Sequence, residues 1–76
     1  MKKTRKNICG LTIKQLRLKA GITQLELSRK LSEKHINIDR AGIAKIETGR
    51  RYVLDYEVKG FARALKVGIG KIVGRR

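Results

Sequence analysis

What most limits the fold of this chain is how often it signals the start of a helix. Thr12 with Gln15 and Thr23 with Glu26 have capping-box spacing, and Asp39 and Asp55 each precede an apolar-periodic stretch. Gly21 and Gly49 sit where the first and third of these stretches should close. Ile13, Leu16 and Ala20 follow helical spacing, and Leu27 and Leu31 do so in a second helix whose pattern extends to Lys34. Ile43 and Ile46 lie inside a short third helix, Arg40 to Thr48. Val58, Phe61, Ala62 and Leu65 mark one face of a fourth, capped by Asp55. Ile69, Ile72 and Val73 allow one more apolar turn, weakened by glycines that each cost a helix interior about 1 kcal/mol against Ala. The chain is therefore expected to be all-α, a small bundle of four to five short helices without a strand.

With 76 residues the chain can hold one small domain, and Cys9 has no partner for a disulfide. A hydrophobic content of 41% suits a folded chain. Twenty Lys and Arg against six Asp and Glu give a net charge of +14. So much positive charge repels itself, which points to nucleic acid, an acidic partner or an anionic surface; a merely solvated basic surface is the plain alternative. The cations are dense at both ends, which sets a basic N-terminal arm at 1–7, a domain at 8–73 and a basic tail at 74–76. "MKKTRKN" is like the start of a signal peptide, but "ICGLTI" is too short an apolar run and Lys14 follows at once. No run approaches the roughly 18 apolar residues of a membrane span, so a soluble cytoplasmic protein is expected.

The second and third helices carry the chemistry. Ser28 is small enough for a neighbouring helix to cross closely, and Ile43 and Ile46 would face Leu27 and Leu31. That leaves Arg40, Ala41 and Lys45 outward, beside the helix start at Thr23 and Gln24. A reaching cation and small residues in a first turn suit an approach to base edges. Arg can pair with guanine O6 and N7, and Ala can touch a thymine methyl. Thr23 and Gln24 stand at the positive end of a helix, where backbone amides hold phosphate. Arg50 and Arg51, just beyond the third helix, suit further phosphates.

The segments "IKQLRLKAGITQLELSRKL", "IDRAGIAKIETGRR" and "DYEVKGFARALKV" resemble, in register, the lambda-repressor/Cro-like helix-turn-helix family, from about Ile8 to Val67. The resemblance implies duplex DNA as partner, with Gln24 at the DNA backbone or flanking a base. It also implies Arg40, Ala41 and Lys45 in the major groove, and Thr48, Arg50 and Arg51 on phosphate. Arg17 and Glu47 match a buried structural salt bridge between the first helix and the recognition helix. The connection "SEKHIN" is longer than the family's usual turn and matches a longer-turn branch with "INIDR" segments. Gly42 and Gly60 stand where better helix formers are usual, which predicts modest stability.

No enzyme chemistry is expected. His35 lacks neighbours at metal-ligand spacing and reads as a loop residue, Cys9 packs, and Tyr52 and Tyr56 suit core or rim packing rather than base stacking. Asp55 and Glu57 belong to one capping region and are not an acid/base pair. Neither cofactor nor small-molecule ligand is implied. The function expected is a sequence-specific double-stranded DNA-binding transcriptional regulator, a repressor, at the nucleoid. It would pair as a homodimer on DNA through the spare Ile69, Ile72 and Val73. A helix-turn-helix adaptor or antitoxin-like regulator, favoured if Leu25, Ile69 and Val73 form one exposed patch, and a basic RNA- or ribosome-associated protein are the alternatives.

Overall fold

The computed structural model describes residues 6–73; residues 1–5 of the basic arm, residues 74–76 of the basic tail, and the side chains of Lys6, Asn7, Ile8 and Val73 lie outside it. Five helices make up the described chain, with no strand among them: α1 Lys6–Ala20, α2 Gln24–Ser32, α3 Arg40–Glu47, α4 Asp55–Leu65 and α5 Ile69–Val73. α1 packs on α3, α4 and α5, α2 packs on α3 and α4, and α4 packs on α5. The apolar positions given by the 3.6-residue period meet at the centre. Ile13, Leu27, Leu31, Ile43, Ile46, Phe61 and Ile72 are all fully buried.

The caps are local and mostly fall where their residues predict. At α2 the Thr23 hydroxyl accepts from the Glu26 N–H at 3.0 Å, and the Glu26 carboxylate accepts from the Thr23 N–H at 2.7 Å. That backbone donor holds the Glu26 carboxyl below the usual carboxylate range. Asp39 caps α3 by accepting from the Gly42 N–H at 2.7 Å. Gly21 and Gly49, with φ of 75° and 77°, close α1 and α3 in the left-handed region.

Four local expectations are corrected. Thr12 and Gln15 form no capping box, because α1 is already helical at Lys6 and both residues lie in its interior. Cys9 and Ile13, one turn apart, share its buried face. α2 stops at Ser32 rather than Lys34, since His35 adopts φ 64° and the Ile36 N–H turns back to the Leu31 carbonyl at 3.0 Å. α3 ends at Glu47, with Thr48 as its C-cap. The N-cap of α4 is Leu54, not Asp55, because Glu57 reaches back to accept the Leu54 N–H at 2.9 Å.

The connection over 33–39 is tied down at several points. Ile36 and Ile38 are buried, and the Ser28 hydroxyl donates to the Ile38 carbonyl at 2.8 Å. The two glycines read as weak helix positions are where this connection is seated. A Cβ on Gly60 would collide with the Ile36 side chain, and one on Gly42 would stand 2.9 Å from Ile38 Cγ2. Their low helix propensity is thus offset by the burial of two isoleucines, each worth about 1.5–3 kcal/mol.

Gly10 has a similar part between α1 and α3, since a Cβ there would collide with the backbone carbonyl oxygen of Ile46. A backbone oxygen cannot rotate away, so the helices must separate to admit a methyl. Gly10→Ala should therefore destabilise the protein by about 1–3 kcal/mol, although helix propensity alone favours Ala. Urea denaturation of the variant checks this; equal or greater stability than wild type would mean that the helices do not touch there.

Candidate nucleic-acid interface

α3 presents two opposed faces. At about 100° per residue, Arg40, Ala41, Ala44, Lys45 and Thr48 fall within one arc, and Ile43, Ile46 and Glu47 within the opposite one. Accessibility follows that division. Arg40, Ala41, Lys45 and Thr48 are exposed and Ala44 is half-buried, while the inner three are buried. Ala44 is absent from the residues predicted from the sequence. Its place one turn from Arg40 and next to Lys45 was the signal that could have found it.

The inner face is fixed by a carboxylate. Glu47 accepts from Arg17 Nε at 2.6 Å and from Arg17 Nη2 at 3.1 Å, while Arg17 Nη1 donates to the Ile22 carbonyl at 2.8 Å. The side chains are 9% and 2% exposed, so the pair lies away from water. Its hydrogen bond to the Glu47 carboxylate holds the Arg17 guanidinium above the ordinary arginine range. Gln24 Nε2 also donates to Glu47, at 3.0 Å, which ties the start of α2 to the end of α3. One of the two Gln24 amide hydrogens is therefore committed inside the protein.

At the start of α2 the capping box occupies the N–H groups of Thr23 and Glu26. The N–H groups of Gln24 and Leu25 have no intrahelical partner, as for any first turn. The Thr23 hydroxyl accepts within the box and retains its hydrogen for an outside acceptor. Thr48 is placed differently: its hydroxyl donates to the Ala44 carbonyl at 3.0 Å, a bond it must give up to donate to a phosphate.

The two arginines after α3 part company. Arg50 is exposed. Arg51 is half-buried and grips Glu57 with both terminal nitrogens, each at 3.0 Å, and Nη1 also donates to the Tyr52 carbonyl at 3.0 Å. The bond to Glu57 holds the Arg51 guanidinium above its ordinary range. Its fork therefore braces the segment before α4. Tyr52 and Tyr56 are exposed at the rim. Of the six carboxylates, Glu47 and Glu57 each cancel one arginine, and Glu26 and Asp39 are held in caps, so few remain to offset the outer cations.

Among the described residues no group of His, Cys, Asp and Glu could hold a metal ion, and no helix is long and apolar enough to cross a membrane.

A family model described as helix-turn-helix matches residues 13–72, most of the chain. The chain belongs to the Cro/C1-type helix-turn-helix family. No match was found among curated proteins or among solved structures. Family membership makes the chain a DNA-binding regulator, with α2 and α3 as the two helices of the motif. The 33–39 segment of this helix-turn-helix protein is thus its turn, lengthened and buttressed by Ile36 and Ile38.

Removing Glu47 leaves the Arg17 charge unpaired and buried. Glu47→Ala should cost about 3–5 kcal/mol, whereas Arg17→Met with Glu47→Leu should restore much of the stability. Thermal melting of the free protein checks both; an unchanged melting temperature for Glu47→Ala would show that the pair holds nothing together.

Proposed function

We propose that this protein is a sequence-specific transcriptional regulator that reads the major groove of duplex DNA with the outer face of α3. The observation that carries this is the arc of Arg40, Ala41, Ala44, Lys45 and Thr48, all on the side of α3 opposite its buried isoleucines. An α-helix fits the major groove, and small residues between two long cations let its axis approach the bases. Arg40 and Lys45 are assigned to base edges, and Ala41 and Ala44 to close contact. Thr23, the amides that open α2, and Arg50 are assigned to phosphate. Gln24 keeps one amide hydrogen for the DNA backbone. Arg51, committed to Glu57, is reassigned from phosphate to bracing the segment that carries Arg50. Occupancy of a promoter excludes other proteins from the same base pairs, so repression, at the nucleoid, is the regulatory outcome proposed.

Selection of bound duplexes from a random DNA pool tests this directly. A recovered consensus is expected, and none should appear if the motif serves to dock another protein. Affinity should fall steeply with salt, as neutralised phosphates release counterions. Arg40→Ala and Lys45→Ala should each cost about 1–3 kcal/mol on the preferred duplex and little on random DNA. Arg50→Ala should weaken both alike and reduce the salt slope by about one. Identical behaviour of all three variants would refute the division into readers and anchors.

The protein is proposed to bind a two-fold site as a pair that forms on DNA. Of the apolar residues thought spare for self-association, Ile72 is fully buried in the protein's own core, while Ile69 is exposed. Two chains of charge +14 repel each other without DNA to screen them. Sedimentation at micromolar concentration should show monomer, and two chains per duplex once the selected site is added. A stable free dimer would contradict this order of assembly.

A further inference from the structure

We infer that Asn37, in the lengthened turn, is an additional base-reading residue that extends the contact surface of α3 backward beyond Arg40. This rests on the major-groove reading above and deepens it.

Over 36–39 burial alternates residue by residue: Ile36 and Ile38 point inward, Asn37 and Asp39 outward. That alternation is the signature of extended chain, in which successive side chains take opposite sides. Both inward neighbours are anchored. Ile36 sits over Gly60 of α4, and Ile38 lies against Gly42 of α3 while its carbonyl accepts from Ser28 of α2. Asn37 therefore projects from a backbone clamped on either side, although the residue itself belongs to a connection. A fixed backbone spares the cost of ordering a loop on binding, so that only the rotamer freedom of the Asn37 side chain is lost.

Its position is next to the reading helix. Asn37 lies two residues before the cap of α3 and lines a shallow groove of about 440 Å3 together with Asp39, Gly42 and Arg51. The charged groups of that groove are already engaged, Asp39 in the cap and Arg51 with Glu57. The Asn37 amide bonds to no other described residue. It offers a donor and an acceptor side by side, the pattern that matches adenine N7 and N6 in the major groove. Among the neighbouring cations it is suited to read a base rather than merely to attract phosphate.

The experiment repeats the duplex selection with wild type and Asn37→Ala, followed by affinities of both for the wild-type consensus, its single-position variants and random duplex. Loss of preference at one base pair flanking those that depend on Arg40 is expected. Binding to the consensus should weaken roughly 5- to 150-fold, the worth of one paired base contact, with random duplex changed by less than about twofold. The melting temperature should not move, since Asn37 is exposed and unbonded. An unaltered consensus bound as tightly as by wild type would overturn the assignment. So would equal weakening on consensus and random DNA, which would make Asn37 a phosphate contact only. Failure of the wild type itself to yield a consensus would remove the major-groove reading first, and Asn37 with it.

Discussion

Glu47 is a carboxylate on the inner side of α3, and three helices meet at its two oxygens. Arg17 reaches it from α1 with two nitrogens and Gln24 from the first residue of α2. A charge so far from water is tolerated only because its lone pairs are filled, and removing either ion would strand the other. The arrangement sets the two helices of the motif against each other and against α1, so the outer face of α3 inherits its orientation from a bond on its inner face. A surface that must meet base edges within hydrogen-bond distance cannot be set by apolar contact alone, because apolar packing is non-directional.

The turn between α2 and α3 adds a second constraint. Seven residues could have been a loose loop, yet two isoleucines in it are buried, and glycines on α3 and α4 make room for them. The start of α3 is thereby held from α2 through Ser28 and from α4 through Ile36, while Glu47 holds its end. With both ends fixed, the proposed reading helix enters the groove as a rigid element rather than one that must order on binding. In a domain this small, with one modest core, that rigidity comes from a few directional bonds and close contacts.

Charge is distributed in the same economical way. Two of the six carboxylates are buried against arginines and two complete helix caps, so the negative groups serve mainly the fold. Most of the cations among the described side chains are left facing solvent, where repulsion costs stability in the free protein and a polyanion relieves it. The family match and this surplus point to the same kind of partner.

Much of this was legible in the chain itself. The Thr23–Glu26 box, the Asp39 cap and the glycines that end α1 and α3 act over three or four residues, so the residues alone specify them. The periodicity of Leu27, Leu31, Ile43 and Ile46 specified which face of each motif helix is buried, and hence that Arg40, Ala41 and Lys45 face outward. The Arg17–Glu47 pair was implied only through family resemblance, since its partners are 30 residues apart. Tertiary structure alone separated Arg50 from Arg51, turned Gly42 and Gly60 from weak helix positions into contact points, and took Ile72 into the core. Caps and periodicity are properties of neighbouring residues, whereas the partner of a side chain and the space beside a glycine depend on which distant segment arrives there.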